Sequence, residues 1–222
     1  MQILIWNLYH GRAVPPAGRD LFDDFAAALD GWEWDVALLQ EVPPWWPADL
    51  PGVWQATVRT SRNFPLPVRK ALARRWPDTM KSNGGGANAI LVRSRRLGRA
   101  DQQATRLLRH YPERRLVHGV RVGGTWFANL HASANDPARA RKDVELAAHS
   151  VTRWAGDAPA ILGGDFNLRD PVLPGYLHIA ERDVDHVFTL GGQASGFEVL
   201  ERGTLSDHPP LRVHMSFSRH PS

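Results

Sequence analysis

Gly163-Gly164-Asp165-Phe166-Asn167 closes an apolar run, Ala158-Pro159-Ala160-Ile161-Leu162, that is short enough for a buried strand and ends in a polar turn. Side chains alternate along a strand, so Asp165 and Asn167 point one way while Phe166 points the other and anchors the turn in the core. The two glycines leave room for a ligand or a second backbone to come close. A carboxylate and an amide presented together at a strand's end suit a hard divalent cation and a phosphate oxygen. The same word also marks an ordinary Asx turn. A calcium loop is disfavoured, because Arg169 stands where a third ligand belongs and Asp170 where the sharp-turn glycine belongs.

The 222 residues suit one domain over 1–222 with a substantial core, and 43% hydrophobic residues with nine tryptophans argue against disorder. No cysteine is present, which excludes disulfides, thiolate metal sites and a thiol nucleophile. Gln2-Ile3-Leu4-Ile5-Trp6 reads as a strand rather than a basic leader, and no transmembrane span is visible, so a cytoplasmic monomer without integral membrane association is expected. Net charge is +4 but uneven: residues 50–115 hold 15 of the 27 cations and only 3 of the 23 acids. A basic segment set against an acidic remainder points to an anionic, phosphate-bearing partner beside a carboxylate cluster.

Taken in order, residues 2–6 form a strand ending at Asn7-Leu8-Tyr9-His10-Gly11. Asp20 caps a helix whose face is Leu21, Phe25, Ala28, Leu29 and Trp32. A second buried strand, 34–39, runs to Gln40-Glu41-Val42 and delivers Glu41 at its end, as a rim salt-bridge partner or a metal ligand. Pro43-Pro44-Trp45-Trp46-Pro47 is a stiff aromatic loop beside Glu41, placed to wall a cleft by stacking. Residues 53–58 form a strand, 59–86 a basic irregular insertion with a short helix over 69–76, and Gly84-Gly85-Gly86 a flexible link that lacks the ending of a phosphate-binding P-loop. The sheet resumes at 87–92. Residues 114–122 and 125–131 pair antiparallel and deliver His131, and Asp136-Pro137 starts a long helix faced by Val144, Ala147, Ala148, Val151 and Trp154. Strands over 184–190, 197–200 and 211–217 complete the chain.

Asn7, Glu41, His131, Asp165, Asn167, Asp185 and the pair Asp207-His208 all fall at strand ends, on what could be one rim of a sheet. Two histidines with several carboxylates and amides serve phosphoester cleavage: a metal ion neutralises phosphate charge, a carboxylate orients water, and an imidazolium stabilises the transition state.

Trp6-Asn7, Leu39-Gln40-Glu41-Val42, Asn88-Ala89-Ile90-Leu91, Asn129-Leu130-His131, Gly163-Gly164-Asp165-Phe166-Asn167, Asp185-His186-Val187-Phe188 and Leu205-Ser206-Asp207-His208-Pro209 occur in the order seen in the endonuclease/exonuclease/phosphatase superfamily, which the chain resembles over 2–213. The resemblance implies an α+β fold: a four-layer α/β sandwich, two mostly antiparallel sheets packed face to face with helices outside. It makes Glu41 the principal metal ligand, with Asn7 and Asp207 nearby, and Mg2+ or Mn2+ the ion. By the same resemblance Asp165 orients or deprotonates water and Asn167 holds a phosphate oxygen. His131 and His208, the latter aligned by Asp185, bind the scissile phosphate and stabilise the pentacovalent state. Asn88, Arg114, Arg115, Trp45 and Trp46 are the candidate substrate contacts. Residues 7–11 and 40–42 lack the wording associated with abasic-site endonucleases, so the resemblance carries chemistry better than target. A nuclease, with DNA favoured, is the leading expectation. Hydrolysis of a small or lipid-borne phosphoester is the enzymatic alternative, and a nucleic-acid-binding relative without turnover is the other.

Overall fold

The computed structural model describes residues 1–60, 65–80, 85–111 and 113–217. Two six-stranded mixed sheets lie face to face. The strands of the first are β1 (Gln2–Asn7), β2 (Val36–Val42), β3 (Trp54–Arg59), β4 (Ala87–Val92), β11 (Gly192–Val199) and β12 (Leu211–Phe217), in the order β11-β12-β1-β2-β4-β3. Those of the second are β5 (Gln102–Arg109), β6 (Arg115–Val122), β7 (Thr125–His131), β8 (Ala160–Asp165), β9 (Leu177–Arg182) and β10 (Asp185–Leu190), in the order β5-β6-β7-β8-β10-β9.

Each sheet has one parallel pair at its centre, β1–β2 and β7–β8, and every other pairing is antiparallel. The cause is a helical crossover. α1 (Phe22–Gly31) joins β1 to β2, and α4 (Pro137–Ala155) joins β7 to β8. In both parallel pairs the carboxyl ends lie together: Asn7 is opposite Gln40, and His131 is opposite Asp165.

Three separate cores make the four layers. Leu4, Trp6, Phe25, Leu29, Leu39 and Leu91 pack α1 on the outer face of the first sheet. Ile3, Ile5, Leu38, Ile90, Phe127, Ile161 and Val187 fill the space between the sheets. Leu130, Val144, Ala147, Val151, Leu162 and Phe166 pack α4 on the outer face of the second. Period-two alternation in the strands thus splits neighbours such as Ile161 and Leu162 between different cores. Gly163 faces the inter-sheet layer, where a Cβ would stand 3.1 Å from Leu38 and 3.3 Å from Ile5, so the close approach allowed by the glycine is made by the other sheet.

Asp136 caps α4 as expected, accepting from the Arg139 N–H at 3.0 Å. Asp20 stands one residue before the cap position of α1, Leu21, and accepts instead from the Phe22 N–H at 3.3 Å. At the other end of α1, Arg93 donates to the carbonyls of Leu29 and Trp32, both at 2.9 Å, and lies over the Trp34 ring. The described residues of the basic insertion contain two helices, α2 (Leu66–Arg75) and the short α3 (Pro77–Met80), where an irregular segment with one short helix was expected. Gly84 lies outside the described residues. Gly85 and Gly86 both accept through their carbonyls, from the Arg69 guanidinium and from Thr60 respectively. No described helix is long and apolar enough to cross a membrane.

Candidate functional site

The carboxyl ends of β1, β2, β7 and β8 bring Asn7, Glu41, His131 and Asp165 together from both sheets. Asp165 is buried and held at both oxygens. The Asn7 amide donates to Oδ2 at 3.0 Å, and the Asn167 backbone N–H donates to Oδ1 at 2.9 Å. Asn167 has φ +50°, and its side-chain amide donates to Ala132 O at 3.1 Å, which fixes the turn to the end of β7. Gly164 permits this turn: a Cβ there would stand 2.0 Å from the Leu130 carbonyl oxygen, and its φ of +139° disfavours any side chain.

Glu41 occupies a bulge between Leu39 and Val42, with φ +51°. Its carboxylate lies between two imidazoles: His10 Nε2 is 3.1 Å from Oε2, and His131 Nε2 is 3.7 Å from Oε1. His131 Nε2 is also 3.6 Å from Asp165 Oδ2, while Arg115 Nη1 meets His131 Nδ1 at 2.9 Å. The second nitrogen of that guanidinium donates to Glu113.

Asp185 begins β10 directly opposite Asp165, and its Oδ2 is 2.7 Å from His208 Nδ1. His208 Nε2 then faces inward, 3.9 Å from Asp165 Oδ2 and 3.9 Å from the exposed Asp207. The loop carrying His208 is pinned to β1 twice. Buried Ser206 donates through its hydroxyl to Asn7 O at 2.6 Å and accepts from the His208 N–H at 3.0 Å, and the Trp6 indole donates to His208 O at 2.9 Å.

These contacts divide the charges. Burial works against a charge on His208, but its hydrogen bond to Asp185 and the Asp185, Asp165 and Asp207 carboxylates outweigh it and raise the imidazole to about 10. Burial, followed by repulsion from the Arg115 guanidinium, holds His131 well below its ordinary value. Burial first, then Arg69, Arg12 and Arg115, lowers His10 to about 3. At neutral pH the site therefore holds one cationic imidazole, His208, and two neutral ones. Burial, with Asp165 as a like charge, raises Glu41 to about 7, and burial raises Asp165 too.

Half-buried Glu41 and buried Asp165 both face His131 Nε2, and with Asp207 at the rim they offer carboxylate oxygens among the imidazoles of His10, His131 and His208. This set fits a hard divalent cation. Asp165, Asp185 and His208 also converge, but His208 in its cationic form has no lone pair to offer an ion. Asn7 fits less directly, since its oxygen already accepts the Tyr9 N–H at 3.0 Å and its nitrogen serves Asp165.

Of the expected substrate contacts, Arg115 is inside the site through His131, whereas Arg114 is exposed. Trp46 does not wall a cleft. It is buried against Phe22 and Phe25 of α1, because an indole gains more from that apolar layer than from water. Trp45 is half-buried, with Arg69 over its ring at 5.7 Å. Asn88 is buried beside Ile90 in the strand order that faces the other sheet, and both its amide atoms lack a hydrogen-bond partner among the described residues. Sequence reasoning missed His10, which the unusual run of positive φ at Tyr9, His10 and Gly11 swings onto Glu41, and Gln40, which donates to Asn129 Oδ1 at 2.7 Å and ties the two sheets beneath the site.

The model of the Endonuclease/Exonuclease/phosphatase family matches residues 4–208. Members of this family are phosphoester hydrolases, generally dependent on a divalent metal. A comparison with curated proteins finds none that matches. Similar solved structures include a conserved protein of unknown function from Enterococcus faecalis V583, 13% identical, with a TM-score of 0.70 over 98% of this chain and 100% of that one. TDP2 of D. rerio, complexed with a single strand DNA product, is 14% identical, with a TM-score of 0.69 over 97% of this chain and 98% of that one. A mannosyl-6-phosphatase of Bacteroides thetaiotaomicron VPI-5482 is 16% identical, with a TM-score of 0.69 over 98% of this chain and 100% of that one. These likenesses bear on the fold. The match that begins in β1 and ends at the His208 facing Asp165 makes the chain a member of the endonuclease/exonuclease/phosphatase family.

Proposed function

We propose that the chain is a divalent-metal-dependent phosphodiesterase that hydrolyses a nucleic-acid backbone. The observation that carries the chemistry is the line Asp185–His208–Asp165: a carboxylate 2.7 Å from one imidazole nitrogen, and the other nitrogen directed at a second carboxylate 3.9 Å away. Asp165, oriented by Asn7 and the Asn167 N–H, positions the attacking water and accepts its proton. His208, kept cationic by Asp185, stabilises the negative charge that builds on the phosphoryl oxygens as the water oxygen bonds to phosphorus. The P–O bond opposite the water then breaks, the leaving oxygen takes a proton from solvent, and Asp165 releases to solvent the proton it accepted. His131 adds a neutral N–H donor, and Asn167 an amide. Glu41, with Asp207 at the rim, would hold Mg2+ or Mn2+, which supplies neutralisation of phosphate charge. Asn7 orients Asp165 rather than serving chiefly as a ligand.

A polymer as substrate is supported by the basic run 50–115, in which Arg74, Arg75, Arg95, Arg96, Arg99 and Arg106 are exposed. Arg93 and Arg109 are engaged by the fold, the latter with Asp143. The test is hydrolysis by the purified protein, with Mg2+ or Mn2+, of single-stranded DNA, plasmid DNA and a panel of phosphomonoesters. Chelator-sensitive DNA cleavage supports the reading. Preferential release of phosphate from a monoester overturns the choice of substrate and favours a second reading, a small-molecule phosphatase, to which the likeness to the Bacteroides enzyme lends weight.

A further inference from the structure

On the outer face of the second sheet, behind the catalytic turn, His178, Glu181 and His186 present three ligand atoms to one point. The arrangement depends on a bulge. In a regular strand residues three apart face opposite ways, but the β9–β10 register shifts so that His186 is opposite Glu181 and Phe188 opposite His178, leaving Ile179 without a partner. The extra residue turns His178 and Glu181 onto the same face as His186, while Ile179 and Ala180 pack between the sheets.

The spacing is that of a coordination shell. His178 Nε2 is 3.1 Å from His186 Nδ1, and Glu181 Oε2 is 3.6 Å from the first and 3.8 Å from the second. A tetrahedral ion with bonds of about 2.1 Å separates its ligands by about 3.4 Å. His186 is fully buried, and its Nε2–H donates to Leu168 O at 2.7 Å, which leaves Nδ1 as a bare lone pair aimed at the cluster. A backbone carbonyl holding the far nitrogen of an imidazole is the usual support of a metal-binding histidine. The His178 ring is stacked on Phe188 at 4.4 Å and 15°. Without an ion, His178 Nε2–H must donate to His186 Nδ1. An ion would take both lone pairs, moving that proton to His178 Nδ1 or to solvent.

We propose that His178, Glu181 and His186 form a second metal site, separate from the hydrolytic one, for a borderline divalent transition metal of the Zn2+ class, with water in the fourth position. Two imidazoles and one carboxylate favour such an ion over Mg2+, which prefers oxygen. The site bears on the catalytic turn from behind. The His186 ring meets Phe166, between Asp165 and Asn167, at 5.4 Å and 72°, and Leu168 follows Asn167 in the chain. An ion there cross-links the β9–β10 hairpin and stiffens that turn.

Zn2+ binding should be measured by equilibrium dialysis and by the shift in Tm, in a Glu41→Gln/Asp165→Asn background that disables the hydrolytic site. Co2+ serves as the spectroscopic probe. The expected result is one bound Zn2+ with a raised Tm, and a Co2+ spectrum of tetrahedral type. Adding His178→Ala or Glu181→Gln, both at exposed positions, should weaken Zn2+ by about tenfold or more and abolish the Co2+ spectrum. Zn2+ affinity unchanged by His178→Ala and Glu181→Gln overturns the proposal. So does complete loss of Zn2+ in the Glu41→Gln/Asp165→Asn background, which would leave the histidines as a hydrogen-bonded pair alone.

Discussion

Arg115 Nη1 lies 2.9 Å from His131 Nδ1, and this contact fixes where the His131 proton resides. A guanidinium only donates, so Nδ1 is the acceptor and the proton sits on Nε2, the nitrogen that faces Glu41 and Asp165. His131 is thus a neutral donor and not a second imidazolium. Replacing Arg115 with alanine releases the tautomer, and we expect kcat to fall by about 10- to 100-fold with a smaller change in KM. Nitrogen NMR of the ring checks the cause: wild-type His131 should show a protonated Nε2 and a bare Nδ1, and a doubly protonated ring would refute the assignment.

Asp185 sets the charge of His208. In Asp185→Asn the ring loses the partner that holds it at about 10, so its pKa should drop toward the ordinary value of 6.5. A group raised in this way is charged below its pKa, so wild-type activity should not be lost through His208 until the pH nears 10. The variant should lose activity as the pH rises through neutrality, in addition to a fall of about 100-fold in kcat. A pH–rate profile of unchanged shape would show that Asp185 does not govern the ring.

Glu41 makes the opposite prediction. Burial raises it from 4.5 to about 7, so the folded chain binds the proton more tightly than the unfolded one. Its effect on the metal-free protein is therefore a loss of stability as the pH rises from about 4.5 to about 7. A divalent cation compensates the ionised carboxylate, so metal affinity should rise with pH up to about 7 and then level off. Denaturant titrations of wild type and Glu41→Gln with and without Mn2+ check this. Glu41→Gln should remove that part of the pH dependence and most of the stabilisation by metal.

Gly164→Ala places a methyl group 2.0 Å from the Leu130 carbonyl oxygen at a φ of +139°. The strand pair β7–β8 must separate to admit it, at a cost of about 2 kcal/mol or more. The expected reading is a Tm lower by about 5 °C or more, with activity reduced in the protein that remains folded. An unchanged Tm would mean that the turn has slack which the geometry does not show.

The strand ends were readable because apolar runs that stop at a polar residue mark them, and Asn7, Glu41, His131 and Asp165 all follow such runs. The edge strands β5 and β9 left no such trace, since solvent reaches much of both and their sequences lack clean alternation. Trp46 was misplaced because a tryptophan among prolines carries no mark of which side it will bury, and the aromatic layer of α1 decided that. His10 and Glu41 meet through left-handed backbone at both residues, a property of the folded turn and not of the residue types. The β9–β10 bulge that gathers His178, Glu181 and His186 is likewise a matter of register.

The central claim, that Asp165 and His208 carry out a metal-assisted hydrolysis, is tested most directly by single-turnover cleavage of DNA in Mn2+ by wild type, Asp165→Asn and His208→Ala. Each variant should retain its fold and bind DNA, yet cleave about a thousandfold more slowly or worse, and chelator should abolish wild-type cleavage. Cleavage by Asp165→Asn at the wild-type rate, or wild-type cleavage that persists in chelator, would contradict the account.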